Sequence, residues 1–129
     1  MAVRVVRLGT PRKAGEGLRL GTVRRPPRGV KKEDFAKRDY YDVWLPALSP
    51  SQAVVSRAMA QEWTEARWKK FERDYRREMN EPAQKQLIEL LAKMSHHGDF
   101  SVGCYCEDER RCHRSVLRKL LQEAGAKIG

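Results

Sequence analysis

The sequence predicts a single α/β domain, in which a mostly parallel sheet carries helices on both faces to give three layers. Short apolar runs typical of strands lie near both ends of the chain, and segments with helical spacing lie between them. The 129 residues are enough for one domain with a sizeable hydrophobic core. We therefore treat residues 1–129 as one domain, in which no internal repeat or low-complexity segment is visible.

Three short segments in the first half of the chain are predicted strands. Residues 3–8 alternate valine with arginine, residues 18–23 form a second run, and residues 41–45 form a third. Between the last two, residues 24–29 read Arg-Arg-Pro-Pro-Arg-Gly. Because proline cannot donate a ladder hydrogen bond, we expect a stiff, extended loop that holds its arginines away from the body. One helical turn is expected at residues 31–37.

Three helices are predicted in the middle of the chain. Ser49 is the expected N-cap of the first helix, with a proline at N1, and this helix is expected to end near residue 60. The second helix is predicted over residues 63–79, and the third from Pro82 to residues 96–98. Their apolar stripes are Trp68, Phe71, Tyr75 and Met79 in the second helix and Leu87, Ile88, Leu90, Leu91 and Met94 in the third.

The segment over residues 100–121 is expected to hold the functional site. Residues 100–105 form an apolar run without helical spacing, which predicts an interior strand. A polar loop follows, and apolar residues then recur at helical spacing until Gly125, where a C-terminal cap belongs. Open α/β folds bind ligands at the carboxyl ends of their parallel strands. The loop between this strand and this helix is therefore the candidate site.

The positive charge of the chain is concentrated in residues 1–40. The formal net charge is +10, and residues 1–40 hold twelve Lys or Arg against four Asp or Glu, a net of +8. Such a block favours a phosphate-bearing ligand, nucleic acid or an acidic partner, and the alternative is a merely solvated basic surface. No helix-turn-helix, zinc-finger or RNP pattern accompanies the charge.

Five side chains are candidates for binding a ligand. His113 and Arg114 open the last helix, where free N–H groups favour an anion. Glu107 could accept hydrogen bonds from a ribose, and Glu107 or His113 could act as a catalytic acid or base. Arg24 and Arg28 are expected to close over the ligand from the neighbouring loop. The leading hypothesis is a site for a phosphate-bearing small molecule such as a nucleotide, with or without a reaction, and the alternative is a nucleic-acid-binding module built on the basic amino-terminal third.

Helical spacing separates the two residues that open the last helix. His113 lies in line with Leu117 and Leu121 and is expected to face the sheet. Arg114 lies in line with Arg118 and is expected to face solvent or the mouth of the loop. A purely structural alternative is that the acidic residues of the loop only cap the helix and complement its dipole.

The three cysteines, Cys104, Cys106 and Cys112, are expected to be reduced, buried thiols rather than metal ligands. Zinc sites favour well-separated C-x-x-C pairs, whereas the first pair here is C-x-C. Cys104 and Arg110 match the C-x5-R spacing of cysteine-dependent phosphatases, but three carboxylates and no glycine lie between them, which disfavours phosphate. The sequence therefore predicts no metal and no cofactor.

The chain is expected to be cytoplasmic and not to contact a membrane. No apolar run approaches the ~18 residues that a membrane span needs. The basic, apolar start is broken by Gly9 and Pro11, too early for a signal peptide. Three crowded cysteines in a chain without a secretory signal fit a reducing compartment.

Several motifs resemble a known family. Cys104–Glu107, followed by the Cys-His-Arg triplet of Cys112–Arg114, resembles the C-x-E…CHR signature of the domain of unknown function 488 family. The Pro-Arg-Gly loop at residues 27–29 and the helix over residues 68–78 resemble its YeaO-like branch. The resemblance implies a small three-layer α/β domain and assigns no reaction. The chain departs from the branch at two points, which are Val23-Arg24 in place of an Asp-Arg pair and the additional Cys106.

Overall fold

A four-stranded parallel sheet forms the centre of the molecule. The computed structural model describes residues 1–60 and 62–129, and its sheet has the strand order β1-β4-β2-β3. All neighbouring strands of this sheet run parallel. The strands are β1 (Val3–Arg7), β2 (Leu18–Gly21), β3 (Val43–Trp44) and β4 (Phe100–Cys104).

The last strand in the sequence, β4, lies between the first two. Phe100 is in register with Val3 of β1 on one side and with Leu18 of β2 on the other. All five residues of β4 are buried, as expected for a strand with neighbours on both sides and cover on both faces. The prediction of an interior strand over residues 100–105 is thus confirmed.

Four α-helices lie close to the predicted positions. Within residues 1–60 and 62–129, no helix has the length and apolar character to cross a membrane. The predicted N-cap is wrong: Ser51, not Ser49, accepts the hydrogen bond from the Val54 N–H. Ser49 instead ends a short 3-10 helix over Pro46–Leu48 and donates its hydroxyl hydrogen to the first carbonyl of that helix. The helices are α1 (Gln52–Met59), α2 (Glu65–Met79), α3 (Pro82–Met94) and α4 (His113–Glu123).

The main hydrophobic core lies between one face of the sheet and the helices α2, α3 and α4. Alternate side chains of the strands enter it, among them Val3, Leu20 and Val102. Tyr75 of α2 is fully buried there and donates its hydroxyl hydrogen to the Leu48 carbonyl at 2.7 Å. Burial raises the pKa of Tyr75 well above its usual value, in keeping with a neutral donor. The other buried members are Leu48, Met79, Ile88, Leu91, Phe100, Val116, Leu117 and Leu121.

The opposite face of the sheet is covered mainly by loops, together with a short 3-10 helix over Lys32–Asp34. Gly21 of β2 allows close cover, because a Cβ there would lie 2.3 Å from the ring of Tyr41. Tyr41 in turn packs edge-on against Phe35, with ring centroids 5.2 Å apart. The predicted α/β fold with a parallel sheet is confirmed, and its third layer consists of irregular backbone because two prolines and a glycine interrupt the segment between β2 and β3.

Arg19 holds this loop layer from within. Its side chain is 1% exposed and forms a salt bridge with the buried Glu16, with 3.0 Å between Nε and Oε2. The guanidinium also donates to the carbonyls of Thr10, at 2.8 Å, and Asp39. A single buried side chain therefore ties the loops that precede β2 and β3 to the sheet.

Replacing Arg19 with methionine should destabilise the protein strongly. The change leaves the Glu16 carboxylate buried without its partner, and breaking one side of a buried ion pair typically costs about 3–5 kcal/mol. Urea denaturation should show a loss of that size in the free energy of unfolding. The matched control is Arg110→Met, because the Arg110 side chain is 90% exposed and its loss should change stability by less than about 0.5 kcal/mol. Equal stability of the two variants would contradict the role of the buried pair.

Asp42 should make stability depend on pH in the acid range. Although burial opposes it, hydrogen bonds from the Arg12 side chain and the Arg19 N–H lower the pKa of Asp42 below its usual value of 3.8. Such a carboxyl stabilises the fold above its unfolded pKa, and this contribution is lost as the pH falls through the folded pKa. Asp42→Asn should therefore be less stable than the wild type at pH 7 but decline less steeply below about pH 4. Urea denaturation across this pH range measures both, with the exposed Glu33→Gln as the control, and an unchanged acid limb would exclude the assignment.

Candidate functional site

A cleft opens at the carboxyl ends of β1, β2 and β4. It has a volume of about 780 Å³, and its walls come from segments 7–10, 23–28, 49–55 and 104–106, together with Tyr40 and His113. This edge is where parallel α/β sheets bind ligands. The cleft is therefore the candidate functional site.

The Arg-Arg-Pro-Pro-Arg loop, residues 24–28, forms one wall of the cleft. Trp44 Nε1 donates to the Val23 carbonyl at 2.7 Å, and the Tyr105 hydroxyl donates to the Arg25 carbonyl at 2.9 Å. Burial raises the pKa of Tyr105, so its hydroxyl stays a neutral donor at physiological pH. Since the two prolines also restrict the backbone, the loop presents its arginines to the cleft from a restrained position.

The arginines of this loop lack an acidic partner among residues 1–60 and 62–129. Arg24, Arg25 and Arg28 are exposed, and none of them forms an ion pair with a carboxylate in the described part of the chain. By contrast, Arg12 and Arg19 each contact a carboxylate within the loop layer. The arginines of residues 24–28 therefore bring positive charge to the cleft that no carboxylate in the described part of the chain offsets.

Glu107 lies at the rim of the cleft rather than in its lining. Its side chain is 84% exposed and contacts Arg7, with 3.5 Å between Oε1 and Nη2. Arg7 does line the cleft, and its Nε donates to the Tyr105 carbonyl at 3.3 Å. The sequence predicts that Glu107 lines the site, but in the structure Arg7 lines the cleft and Glu107 lies outside it.

His113, the first residue of α4, is buried against Thr22 at the end of β2. Its Nε2 lies 2.8 Å from the Thr22 carbonyl oxygen and 3.2 Å from the Thr22 hydroxyl. Because a carbonyl can only accept, Nε2 carries the proton, and the Thr22 hydroxyl donates to the Gly103 carbonyl at 2.9 Å. Nδ1 lies 3.7 Å from Cys112 Sγ. Both ring nitrogens face protein groups, so His113 joins α4 to β2 and β4, and the geometry favours this structural role over acid–base catalysis.

Arg114 is buried, and the predicted exposure of its side chain is wrong. The residue is 3% exposed, and Nη2 donates to the Cys106 carbonyl at 2.6 Å. Arg118, one turn later, is partly exposed and pairs with Glu109 at 2.7 Å. The loop after β4 folds over the first turn of α4 and covers a face that helical spacing alone assigns to solvent. Arg114 therefore holds the loop and does not line the cleft.

The acidic loop residues contribute to the structure of the loop itself. Asp108 caps a 3-10 helix over Glu109–Arg111 by accepting a hydrogen bond from the Arg110 N–H at 3.0 Å. Cys112 occupies the N-cap position of α4 and makes no capping hydrogen bond with its side chain. Asp108 thus has a capping role, but it caps the 3-10 helix and not α4, the helix that the structural alternative had it cap.

The three cysteines converge beside the cleft. Their Sγ atoms all lie within 4.8 Å of one another, and those of Cys104 and Cys106 are 3.7 Å apart. Cys104 and Cys112 are buried, whereas Cys106 is exposed, so the expectation of buried thiols is wrong for Cys106. Hydrogen bonds from the other two thiols, and the charge of Arg114, hold the pKa of Cys106 well below its usual value. The Cys106 thiolate in turn favours the protonated form of Cys104 and raises the pKa of that thiol.

The structure brings only some of the predicted site residues to the cleft. Of the five predicted ligand-binding residues, Arg24, Arg28 and His113 line the cleft. The other two, Glu107 and Arg114, lie outside its lining. The sequence prediction also missed two lining residues that it could have included. Parallel strands end at one edge of the sheet, so the residues that end or follow β1 and β4 should lie near the cleft. These missed residues are Arg7 and Tyr105.

Comparison with known proteins connects the chain to one family. The family DUF488-N3a, described as "Active DUF488-N3 subclade", matches residues 3–125. No curated protein matches the chain, and no solved structure matches it. The matched range includes all of the strands and helices described above.

Replacing His113 with phenylalanine should destabilise the protein at the junction of α4 with β2. The new ring can keep the contact with Tyr75, whose ring centroid lies 5.5 Å from that of His113, but it cannot donate to the Thr22 carbonyl. Leaving that buried acceptor unpaired should lower the free energy of unfolding by about 1–3 kcal/mol. The matched control is His97→Phe at an exposed position, which should change stability by less than about 0.5 kcal/mol. Equal urea midpoints for the two variants would rule out the structural role.

Proposed function

The chain belongs to the DUF488 family, a family of unknown function, and we propose that its cleft binds a phosphate-bearing small molecule such as a nucleotide. The observation that carries the proposal is the wall of exposed arginines, Arg24, Arg25 and Arg28, which no carboxylate in the described residues neutralises. Guanidinium groups bind phosphate oxygens through paired, charge-assisted hydrogen bonds. Their position at the carboxyl ends of parallel strands adds to this support.

Arg7 contributes a fourth cation from the end of β1. Its ionic partner, Glu107, is 84% exposed, and the contact is 3.5 Å long. An exposed ion pair of this kind contributes little to stability, so a ligand phosphate can replace the carboxylate at modest cost. Binding would then free Glu107 at the rim to accept a hydrogen bond from a ribose hydroxyl.

The size and lining of the cleft suit a small molecule. Its volume of about 780 Å³ lies within the roughly 300–1,000 Å³ range of ligand pockets. Two of its lining residues, Tyr40 and Tyr105, pack edge to face with ring centroids 6.1 Å apart. An aromatic surface next to several guanidinium groups offers a place for a planar group, such as a base, beside the phosphate.

Glu107, His113 and Arg114 have distinct roles in the proposed site. Glu107 is the titratable group at the rim that can exchange a proton with a bound molecule. His113 holds the wall in place through Thr22, and Arg114 holds the loop that carries Glu107. Any acid–base step would therefore rest on Glu107 rather than on His113.

A nucleic-acid-binding module that uses residues 1–40 is the competing function. Two features of the structure disfavour it. Ion pairs inside the loop layer neutralise part of this basic block, including Arg12 and Arg19. The three arginines of residues 24–28 line a concave cleft instead of following an open face. The two functions differ in their dependence on salt, which the experiment below uses.

Arg24→Gln and Arg28→Gln should weaken binding of pyrophosphate and of nucleoside triphosphates without unfolding the protein. Losing a hydrogen bond to a charged group removes about 1.5–3 kcal/mol, so each variant should lose roughly 10- to 100-fold in affinity. Both side chains are exposed, so the thermal midpoint without ligand should hardly change. Isothermal titration calorimetry at two ionic strengths measures the affinities.

Lys13→Gln and Lys37→Gln are the matched controls for this experiment. They remove the same charge from the same basic third of the chain but lie outside the cleft lining, so they should bind like the wild type. Controls that weaken duplex binding as much as the arginine variants, with a log–log salt slope of roughly −0.9 per phosphate neutralised, would favour nucleic acid. If neither pyrophosphate nor a nucleotide binds to the wild type, the proposal is wrong.

A further inference from the structure

Three thiols from the two ends of one loop meet beside the cleft. Cys104 ends β4, Cys106 lies two residues later, and Cys112 directly precedes α4. Their Sγ atoms all lie within 4.8 Å of one another. Within residues 1–60 and 62–129, no other three side chains of histidine, cysteine, aspartate or glutamate come together in this way.

We propose that Cys104, Cys106 and Cys112 bind a zinc ion. Thiolate sulfur is a soft ligand, which selects Zn²⁺ over Mg²⁺ or Ca²⁺. Zinc–sulfur bonds of about 2.3 Å in a tetrahedron place the sulfur atoms about 3.8 Å apart. The separation of Cys104 Sγ and Cys106 Sγ is already 3.7 Å. Rotation of the Cys112 side chain is therefore the main adjustment that the site needs.

The fourth position of this zinc site faces the cleft. Cys104 and Cys106 both line the cleft, and Cys106 is the exposed member of the cluster. Three protein ligands with one position left for water or a ligand atom are the pattern of catalytic zinc sites, whereas structural sites have four protein ligands. The assignment of zinc rests on the three thiols alone and does not depend on which molecule the cleft binds.

The charge next to the thiols supports a metal–thiolate group. Arg114 is 3% exposed and pairs with no carboxylate in the described part of the chain. Its Nε is buried without an acceptor, while its Nη2 donates to the Cys106 carbonyl. A buried cation is costly unless an opposite charge lies nearby. Three thiolates and one Zn²⁺ carry a net charge of −1, which supplies that opposite charge.

The sequence alone argued against a metal here because C-x-C followed by a distant cysteine lacks the usual pairing of zinc ligands. The structure changes this conclusion in one respect. The loop between Cys106 and Cys112 turns back through the 3-10 helix over Glu109–Arg111, which returns the third thiol to the first two. The fold therefore brings the three thiols together, which the spacing did not predict.

Cobalt substitution of the full, reduced chain tests the proposal. One equivalent of Co²⁺ added to metal-free protein should produce thiolate-to-cobalt charge-transfer absorption in the near ultraviolet and the visible bands of tetrahedral Co²⁺. One equivalent of Zn²⁺ should abolish both. Zinc should also protect all three thiols of the native protein from alkylation, as counted by mass spectrometry of the intact chain.

Cys106→Ser is the decisive variant, because Cys106 is exposed and its substitution leaves the buried core intact. Changing a residue that contacts only a metal-binding side chain, and not the metal itself, typically lowers metal affinity roughly 10- to 100-fold. Zinc affinity should fall by more than this in Cys106→Ser, because a metal-binding side chain is itself removed. The matched control is the double change of His96 and His97 to alanine, which removes two exposed imidazoles and should leave the cobalt spectrum unchanged. Far-ultraviolet circular dichroism verifies that both variants fold.

Three results with cobalt would overturn the proposal. These are no charge-transfer band at one equivalent of cobalt, an undiminished band in Cys106→Ser, and loss of the band in the histidine control, which would assign binding to surface imidazoles. A mass two hydrogens lower in protein handled under reductant would also overturn it, because two of the thiols would then form a disulfide.

Discussion

The insertion of β4 between β1 and β2 is the constraint on which the cleft depends. β1 and β2 do not pair with each other, and each is held in the sheet by the strand that arrives last in the sequence. Because all three run parallel, their carboxyl ends meet at one edge. Arg7, the arginine loop after β2 and Cys104 therefore become neighbours only when β4 is in place.

A small hydrogen-bonded network at the same edge sets the finer geometry. The Thr22 hydroxyl donates to Gly103 of β4, and His113 of α4 donates to the Thr22 carbonyl. Buried polar groups that are fully paired in this way rigidify the elements they connect. Because Cys112 directly precedes His113, the contacts that position α4 also bring the Cys112 thiol toward Cys104. The stability of the fold and the spacing of the sulfur atoms thus depend on the same interactions.

Two pairs of arginines differ sharply in their surroundings. Arg19 and Arg114 are buried and donate hydrogen bonds to carbonyls of nearby loops, which offsets part of the cost of removing their charge from water. Arg24 and Arg28 remain exposed at the cleft on a loop stiffened by two prolines. Of these four arginines, only the two at the cleft therefore present their charge to a ligand.

By itself the sequence determined the α/β class, the interior position of the strand at residues 100–105 and the helices that cover the sheet. These follow from hydrophobic periodicity, which is a local property of each element. The same local patterns predicted a strand, a loop and a helix over residues 100–121. Because the carboxyl ends of parallel strands share one edge, this segment became the candidate site. The burial of Arg114 and the meeting of Cys104, Cys106 and Cys112 were decided only by the tertiary structure. Spacing along a helix identifies the face that packs on the sheet, but it carries no information about a loop that folds over the opposite face, since that contact depends on how separate elements pack together.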